Sequence, residues 1–276
     1  MSIERSREPE RFGAFELSGW DDKIGGYDAA LGGVARQTVQ PMLDAAGIIA
    51  GMEVLDLCCG PGMLAAGALA RGARVTGLDF SKAAVTLACK LVPGAEFRQG
   101  DAQALTFAAA SFDAVLCGYG VMHLSDPGAA LAEMLRVLRP GGRLGLSAWD
   151  AEGASFALVH EAVRARGRVD VGLPHGPDFF QFGTRERMIA GLTNAGFAAV
   201  AAYSVAQEWR LANEERYIES ILTGTVRASA ILAAQSGPAA AGVRDYIVEQ
   251  LARFKAPGGE LVLPMPAIIG SGVRSP

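Results

Sequence analysis

The sequence predicts an α/β fold, an open, doubly wound parallel sheet with helices on both faces. Three observations predict it. From residue 53 to residue 149, short apolar runs alternate with amphipathic stretches, the beat of repeated strand–helix units. A glycine turn, Gly60-Pro61-Gly62, follows the first apolar run and opens a helical pattern. A second punctuation, Pro140-Gly141-Gly142, ends a helical stripe and releases the chain into another apolar run. Units of that spacing close as right-handed crossovers onto a sheet buried on both sides.

Residues 1 to about 50 read as a polar leader followed by helical segments. Leu31, Val34, Thr38 and Met42 form a weak helical stripe that Pro41 kinks or restarts. Residues 54–57 form a buried first strand and 64–70 a helix, with Gly72 at its C-terminal stop. The second strand is 74–78, after which Ser81 caps a helix whose apolar face is Val85, Ala88, Cys89 and Val92. Short strands follow at 95–98 and 112–117. Leu131, Met134, Leu135 and Leu138 recur at i, i+3, i+4 and i+7, one helix face ahead of a fifth strand at 143–149.

Beyond Trp149 the rhythm loosens. Residues 156–163 carry a helical pattern and 173–177 a loop, and Thr184 caps a helix bearing Met188, Ile189 and Leu192 that Gly196 ends. A strand at 200–205 precedes two helical stretches, one with Tyr217, Ile218, Ile221 and Leu222, the other with Val243, Tyr246, Ile247, Leu251 and Phe254. The prolines within 261–269 make that last apolar run an irregular or edge strand. Residues 150–183 and 207–258 read as elaborations around the sheet and not as a separate domain.

Composition narrows the function. The chain has 276 residues, 50% hydrophobic and 20% charged, enough for one large domain with a buried core. A net charge of −4, without a long basic run, argues against nucleic-acid phosphates or anionic membranes as partners. The apolar stretches 228–243 and 261–273 are broken by Gly, Ser, Gln or Pro and too short to span a bilayer. Residues 1–11 are charged where a signal peptide would be apolar. Cys58, Cys59, Cys89 and Cys117 lack C-x-x-C spacing, which points to reduced thiols in a cytoplasmic protein and to no metal.

The chemistry concentrates in Val54-Leu55-Asp56-Leu57-Cys58-Cys59-Gly60-Pro61-Gly62. Gly60 and Gly62 let the backbone lie against a ligand at the carboxyl end of the first strand. The glycines do not decide the ligand. Gly60, Gly62 and Ala65 also satisfy the G-x-G-x-x-A dinucleotide pattern, which keeps an NAD(P)-dependent oxidoreductase open. Asp56, inside the motif, would repel a pyrophosphate but suits an ammonium or sulfonium neighbour. Asp79 ends the second strand, where a carboxylate can accept from ribose hydroxyls of either cofactor. Asp101 follows the third strand, where it can accept from an exocyclic adenine amine. Three acids at adjacent strand ends favour a cofactor without phosphate.

On these residues the sequence resembles the class I S-adenosylmethionine-dependent methyltransferases. The matching pieces are Leu55-Asp56 with Gly60-x-Gly62, Gly77-Leu78-Asp79-Phe80-Ser81, Gly100-Asp101-Ala102, Phe112-Asp113-Ala114-Val115 and Leu138-Arg139-Pro140-Gly141-Gly142. The resemblance covers residues 50–150 well and the rest loosely, and it is strongest to the quinone-biosynthesis branch that methylates small molecules. It implies a Rossmann-like sheet of seven strands, mostly parallel with a reversed last strand at 261–269, and helical insertions forming a cap. The implied organisation is a helical lid over 1–50, a cofactor-binding core over 51–206 with a possible lid insertion at 150–183, a substrate-shaping helical insertion over 207–258, and the last strand within 259–276. Cys58 departs from the family pattern, where a glycine is more usual.

The resemblance implies S-adenosyl-L-methionine as cofactor. Gly60 and Gly62 would pack on its methionine portion and Asp79 on the ribose, with Phe80 beside the adenine. Asp101 would take the adenine amine, the Ala102 backbone the ring, and Cys117 and Gly118 the methionine end. Tyr27 and Trp20 lie in the leader, where the family folds an aromatic lid. Methyl transfer is an in-line displacement, so the protein must align the acceptor and exclude water. An oxygen acceptor also needs a base, for which His123 is the candidate. Tyr119, His175, Phe179 and Phe180 are candidates for a small apolar or aromatic acceptor, with His160 also in reach. The expected protein is a monomer or homodimer. A repurposed S-adenosylmethionine binder without methyl transfer is the third reading.

Overall fold

A computed structural model describes residues 8–153, 155 and 157–276. Nine strands fall into two sheets. The large one has the order β3-β2-β1-β4-β5-β9-β6, formed by β1 (Glu53–Leu57), β2 (Arg74–Asp79), β3 (Glu96–Gln99), β4 (Phe112–Gly118), β5 (Leu138–Trp149), β6 (Ala198–Val205) and β9 (Ala267–Val273). Strands β1 to β5 pair in parallel, while β9 runs antiparallel to both β5 and β6. The second sheet is the antiparallel pair β7 (Glu208–Leu211) and β8 (Leu261–Pro264).

The five strands expected before residue 150 are all present, four within one residue of their pattern, and the seven-stranded, mostly parallel sheet is the one expected. β5 begins five residues early, so that Leu138 and Pro140-Gly141-Gly142 belong to the strand and not to the helix and turn ahead of it. Several helices start where short polar side chains satisfy the orphan N–H groups. Ser81 accepts from Ala84 N–H ahead of α4 (Lys82–Leu91), and Thr184 from Arg187 N–H ahead of α7 (Arg185–Asn194). Between β1 and β2 lies α3 (Met63–Ala70), and between β4 and β5 lies α5 (Pro127–Val137). Leu55, Leu57, Val115, Leu144 and Leu146 are completely buried, as a sheet covered on both faces requires.

The last apolar run is two strands, not one. Pro264 and Pro266 break 261–269 between β8 and β9, because a proline has no N–H for the ladder. β9 is then no edge strand: it sits between β5 and β6 and bonds to both. The stretch expected as a purely helical insertion begins with β7, followed by α8 (Glu214–Gly224), α9 (Arg227–Ala233) and α10 (Gly237–Leu251). Tyr217, Ile221 and Ile247 of these helices pack into the same core as Leu55 and Leu57 of β1.

At the N-terminus, α1 (Glu8–Tyr27) runs into a π-helical turn (Asp28–Gly32), a 3-10 turn (Arg36–Thr38) and α2 (Val39–Ala45), with Pro41 in the first turn of α2. Leu31, Val34, Thr38 and Met42, the expected stripe, are buried. After β5, α6 (Ala157–Arg166) begins one residue past Phe156, where its pattern was expected to start, and Phe156 lies outside the described residues. Among the described residues no helix is long and apolar enough to cross a membrane.

Candidate cofactor and acceptor site

A cavity of about 450 Å³ opens over the carboxyl ends of β1, β2 and β4. Its floor is the turn from Asp56 through Pro61, with Asp79 and Phe80 beside it and Gly118, Tyr119 and Gly120 behind. Its roof is α1, which presents Phe12, Glu16, Trp20, Ile24 and Tyr27 at near four-residue spacing along one face. Phe179 and Phe180 of the 170–183 loop close one side, and His160 and Arg164 of α6 with Arg227 of α9 line another.

The floor is held by backbone-to-carboxylate hydrogen bonds. Asp56 Oδ2 accepts from Ala65 N–H at 2.9 Å, while its Oδ1 is buried without a partner among the described residues. Burial pushes the Asp56 carboxyl well above the usual range; the Ala65 N–H opposes this and nearby Asp79 adds to it. Asp79 accepts from Gly60 N–H and Ser81 N–H, both at 2.9 Å, and so ties the first-strand turn to the second strand's end. Burial raises Asp79 to about 6 against the pull of those two N–H groups. Gly60 has φ +51°, and a Cβ there would meet only Ile24 Cδ1 at 3.8 Å, across open space above the turn.

The unusual Cys58 has a matching partner elsewhere in the chain. Its φ is +53°, a strained value for a side chain with a Cβ. A Cβ on Gly120 would lie 2.3 Å from Cys58 Cβ and 2.8 Å from its Sγ, so the missing side chain at Gly120 is what accommodates Cys58. Sulfur-to-sulfur hydrogen bonding with Cys117 and then burial push the Cys58 thiol well up, which keeps it neutral and inert.

Of the residues expected at the site, Tyr27, Asp56, Gly60, Asp79, Phe80, Gly118, Tyr119, His123, His175, Phe179 and Phe180 line this one cavity, as do Trp20 and His160. Four do not. Gly62 has φ +84° and serves the turn, but a Cβ there would meet Val92 and Phe97 on the core side, away from the ligand space. Asp101 is exposed and its Oδ1 accepts from the backbone and side-chain N–H groups of Gln103, an ordinary turn arrangement. Ala102 packs into the hydrophobic core, and Cys117 is fully buried behind Cys58.

Tyr119 stacks on Trp149 with centroids 4.0 Å apart, and its hydroxyl donates to Gln207 Oε1 at 2.7 Å. Burial pushes the phenols of Tyr27 and Tyr119 well up, so neither serves as a base at neutral pH. His123 sits in a 3-10 turn after β4, edge-on to Trp20 at 5.0 Å and to Phe179 at 6.1 Å, with Nδ1 2.8 Å from Glu16 Oε2. Glu16 and Gly120 escaped the sequence reading. Glu16 did leave a signal, an acid on the apolar stripe between Phe12 and Trp20; nothing local to Gly120 pairs it with Cys58.

The site fits S-adenosylmethionine: a buried carboxylate oxygen of Asp56 has no partner among the described residues, a second carboxylate, Asp79, stands at the end of the neighbouring strand, and the bare backbone of Gly60 leaves room for a ligand. Residues 55–146 match the family profile described as "Methyltransferase domain". The demethylmenaquinone methyltransferase of Renibacterium salmoninarum is 40% identical over 41% of this chain and 47% of its own length. The 2-phytyl-1,4-naphthoquinone methyltransferase of Thermosynechococcus vestitus is 43% identical over 34% of this chain and 44% of its own. The matched region thus spans about half the length of these curated relatives. In fold, the chain resembles phosphoethanolamine N-methyltransferase 2 of Haemonchus contortus, solved with S-adenosylhomocysteine, at a TM-score of 0.58 with 18% identity, covering 96% of this chain and 60% of that one. Residues 55–146 thus resemble a methyltransferase domain, and the sheet around them has the Rossmann-like fold of such enzymes.

Proposed function

We propose that the protein transfers a methyl group from S-adenosylmethionine to a small, apolar or aromatic organic acceptor. The observation that carries this is Asp56, whose buried Oδ1 lacks a partner at the edge of a cavity floored by Gly60 and Asp79. An oxygen so placed costs stability unless a ligand cation meets it, and the cofactor's methionine ammonium is such a cation. Asp79 would hold the ribose hydroxyls through lone pairs left free by Gly60 and Ser81, and Phe80 would pack beside the adenine.

When bound, the cofactor supplies an electrophilic methyl group on a sulfonium. The protein's own part is to hold that group in line with the acceptor and keep water out. Trp20, Tyr27 and Ile24 roof the cavity and do the second. His123 is positioned to take a proton from an acceptor hydroxyl. The relatives named for demethylmenaquinone and 2-phytyl-1,4-naphthoquinone support a quinol-like acceptor here, and the aromatic walls Phe179, Phe180 and Trp20 suit one. The setting proposed is the cytoplasm, with a monomer or homodimer acting without nucleic acid. Calorimetry with S-adenosylmethionine and S-adenosylhomocysteine tests the reading: micromolar binding of both is expected, and binding of neither would sink it.

A further inference from the structure

We infer that Glu16 is a positioning residue that fixes His123 as a base, and that the acceptor therefore presents an ionisable hydroxyl. This rests on the methyltransferase reading above, with its hydroxyl-bearing acceptor, and adds to it a positioning residue from the roof.

Glu16 is 2% exposed, on the face of α1 that also carries Phe12, Trp20 and Ile24. An apolar side chain would fill that position more cheaply, because a carboxylate taken out of water must be compensated. Among the described residues its only side-chain hydrogen bond and only ion pair are with His123, 107 positions away in the chain. Neither helix capping nor packing accounts for an acid there; the contact with the imidazole does.

That contact also sets which ring nitrogen is bare. A carboxylate only accepts, so Nδ1 must carry the hydrogen that spans the 2.8 Å to Glu16 Oε2. The hydrogen bonds of the ring among the described residues engage Nδ1 alone, which leaves the Nε2 lone pair for the cavity that His123 lines. Trp20 and Phe179 meet the ring edge-on, with interplanar angles of 82° and 74°, and hold it against rotation. Asp79, near enough to feel the charge of His123, stands at the end of β2, and Asp21 on α1 binds Ser81. The cations of the same cavity, Arg164 and Arg227, belong to its α6 and α9 wall.

A neutral imidazole with a bare Nε2 suits an acceptor that must lose a proton as it attacks. The acceptor O–H bond breaks and its proton goes to Nε2. The pair left on oxygen bonds to the methyl carbon; where it is passed to the neighbouring ring carbon instead, that carbon afterwards loses its own proton to solvent and the ring oxygen regains one, restoring the aromatic alcohol. The sulfur–methyl bond breaks with its pair remaining on sulfur, and the imidazolium returns its proton to solvent. The class indicated is an aromatic alcohol such as a hydroquinone, its ring against Phe179 and Phe180.

The chain has three histidines, so ring-nitrogen NMR of the full-length protein resolves each, with His123→Gln giving the assignment. In the wild type with S-adenosylhomocysteine added, we expect the Nδ1–H tautomer of His123; in Glu16→Gln it shifts towards Nε2–H. With 1,4-naphthohydroquinone as acceptor, Glu16→Gln should lower kcat at least tenfold while the KM for S-adenosylmethionine stays within twofold, and Glu16→Asp should recover part of the rate. A wild-type proton on Nε2, or an unchanged kcat in Glu16→Gln, would overturn the assignment. The wild-type tautomer decides the matter even if the variant does not fold. Failure of the wild type to bind S-adenosylhomocysteine would instead remove the methyltransferase reading.

Discussion

The floor of the cavity comes from one short stretch of chain, Asp56 to Pro61 with Asp79 beside it, and is held by backbone N–H groups bonded to carboxylates. Its roof comes from segments scattered over more than two hundred residues, α1, the 170–183 loop, α6 and α9, and is held by side chains and ring contacts. The floor is built on strands whose ends are set by the sheet, so its geometry follows from local pattern. The roof has no ladder behind it; its geometry follows from which side chains meet. A backbone-built floor suits a cofactor common to a family, and a side-chain roof suits an acceptor that differs between members.

The comparison can be broken at the floor first. Asp56→Asn keeps an oxygen for Ala65 N–H and removes the charge at the unpartnered position. Affinity for S-adenosylhomocysteine should fall about 100-fold, about 2.8 kcal/mol, in a calorimetric titration. Thermal stability should hold or rise, since the buried carboxyl is itself a cost. Equal affinity would show that Asp56 serves only α3.

The next effect is on stability. Gly120→Ala puts a methyl group against Cys58 and should cost about 2 kcal/mol in chemical denaturation. Adding Cys58→Gly should restore most of it, because the clash and the strain at φ +53° go together. Additive losses would mean the two positions are independent.

The smallest effect is the pH dependence of Asp79. Its carboxyl lies at about 6 in the fold, above the ordinary value. Native protein therefore holds a proton there that the unfolded chain has released. The stabilisation this gives is full in acid and is lost as pH rises through about 6. Cofactor binding has the opposite sign, since the ionised carboxylate is the better acceptor. S-adenosylhomocysteine affinity should drop about tenfold from pH 7 to pH 5, and Asp79→Asn should flatten that dependence. A flat wild-type profile would remove Asp79 from the ribose.

The sheet was legible because its signals are local. A run such as Val54 to Leu57 followed by glycines says strand, then turn, whatever lies elsewhere, and Ser81 and Thr184 cap helices within three residues. The same local logic places Asp101 after a strand, where its Oδ1 serves a turn with Gln103, and reads 261–269 as one strand where two prolines divide it.

By itself, the sequence determined the α/β sheet, the glycine turn and the two carboxylates, Asp56 and Asp79, on which the proposed cofactor site rests, since each follows from residues within a few positions of one another. Only the tertiary structure decided that Gly120 makes room for Cys58 62 positions earlier, and that Glu16 meets His123 across 107. Contacts of that separation leave no period or spacing to read. They exist because the sheet order brings the ends of β1, β2 and β4 together and lays α1 over them, and the chemistry of the roof depends on where those side chains then meet.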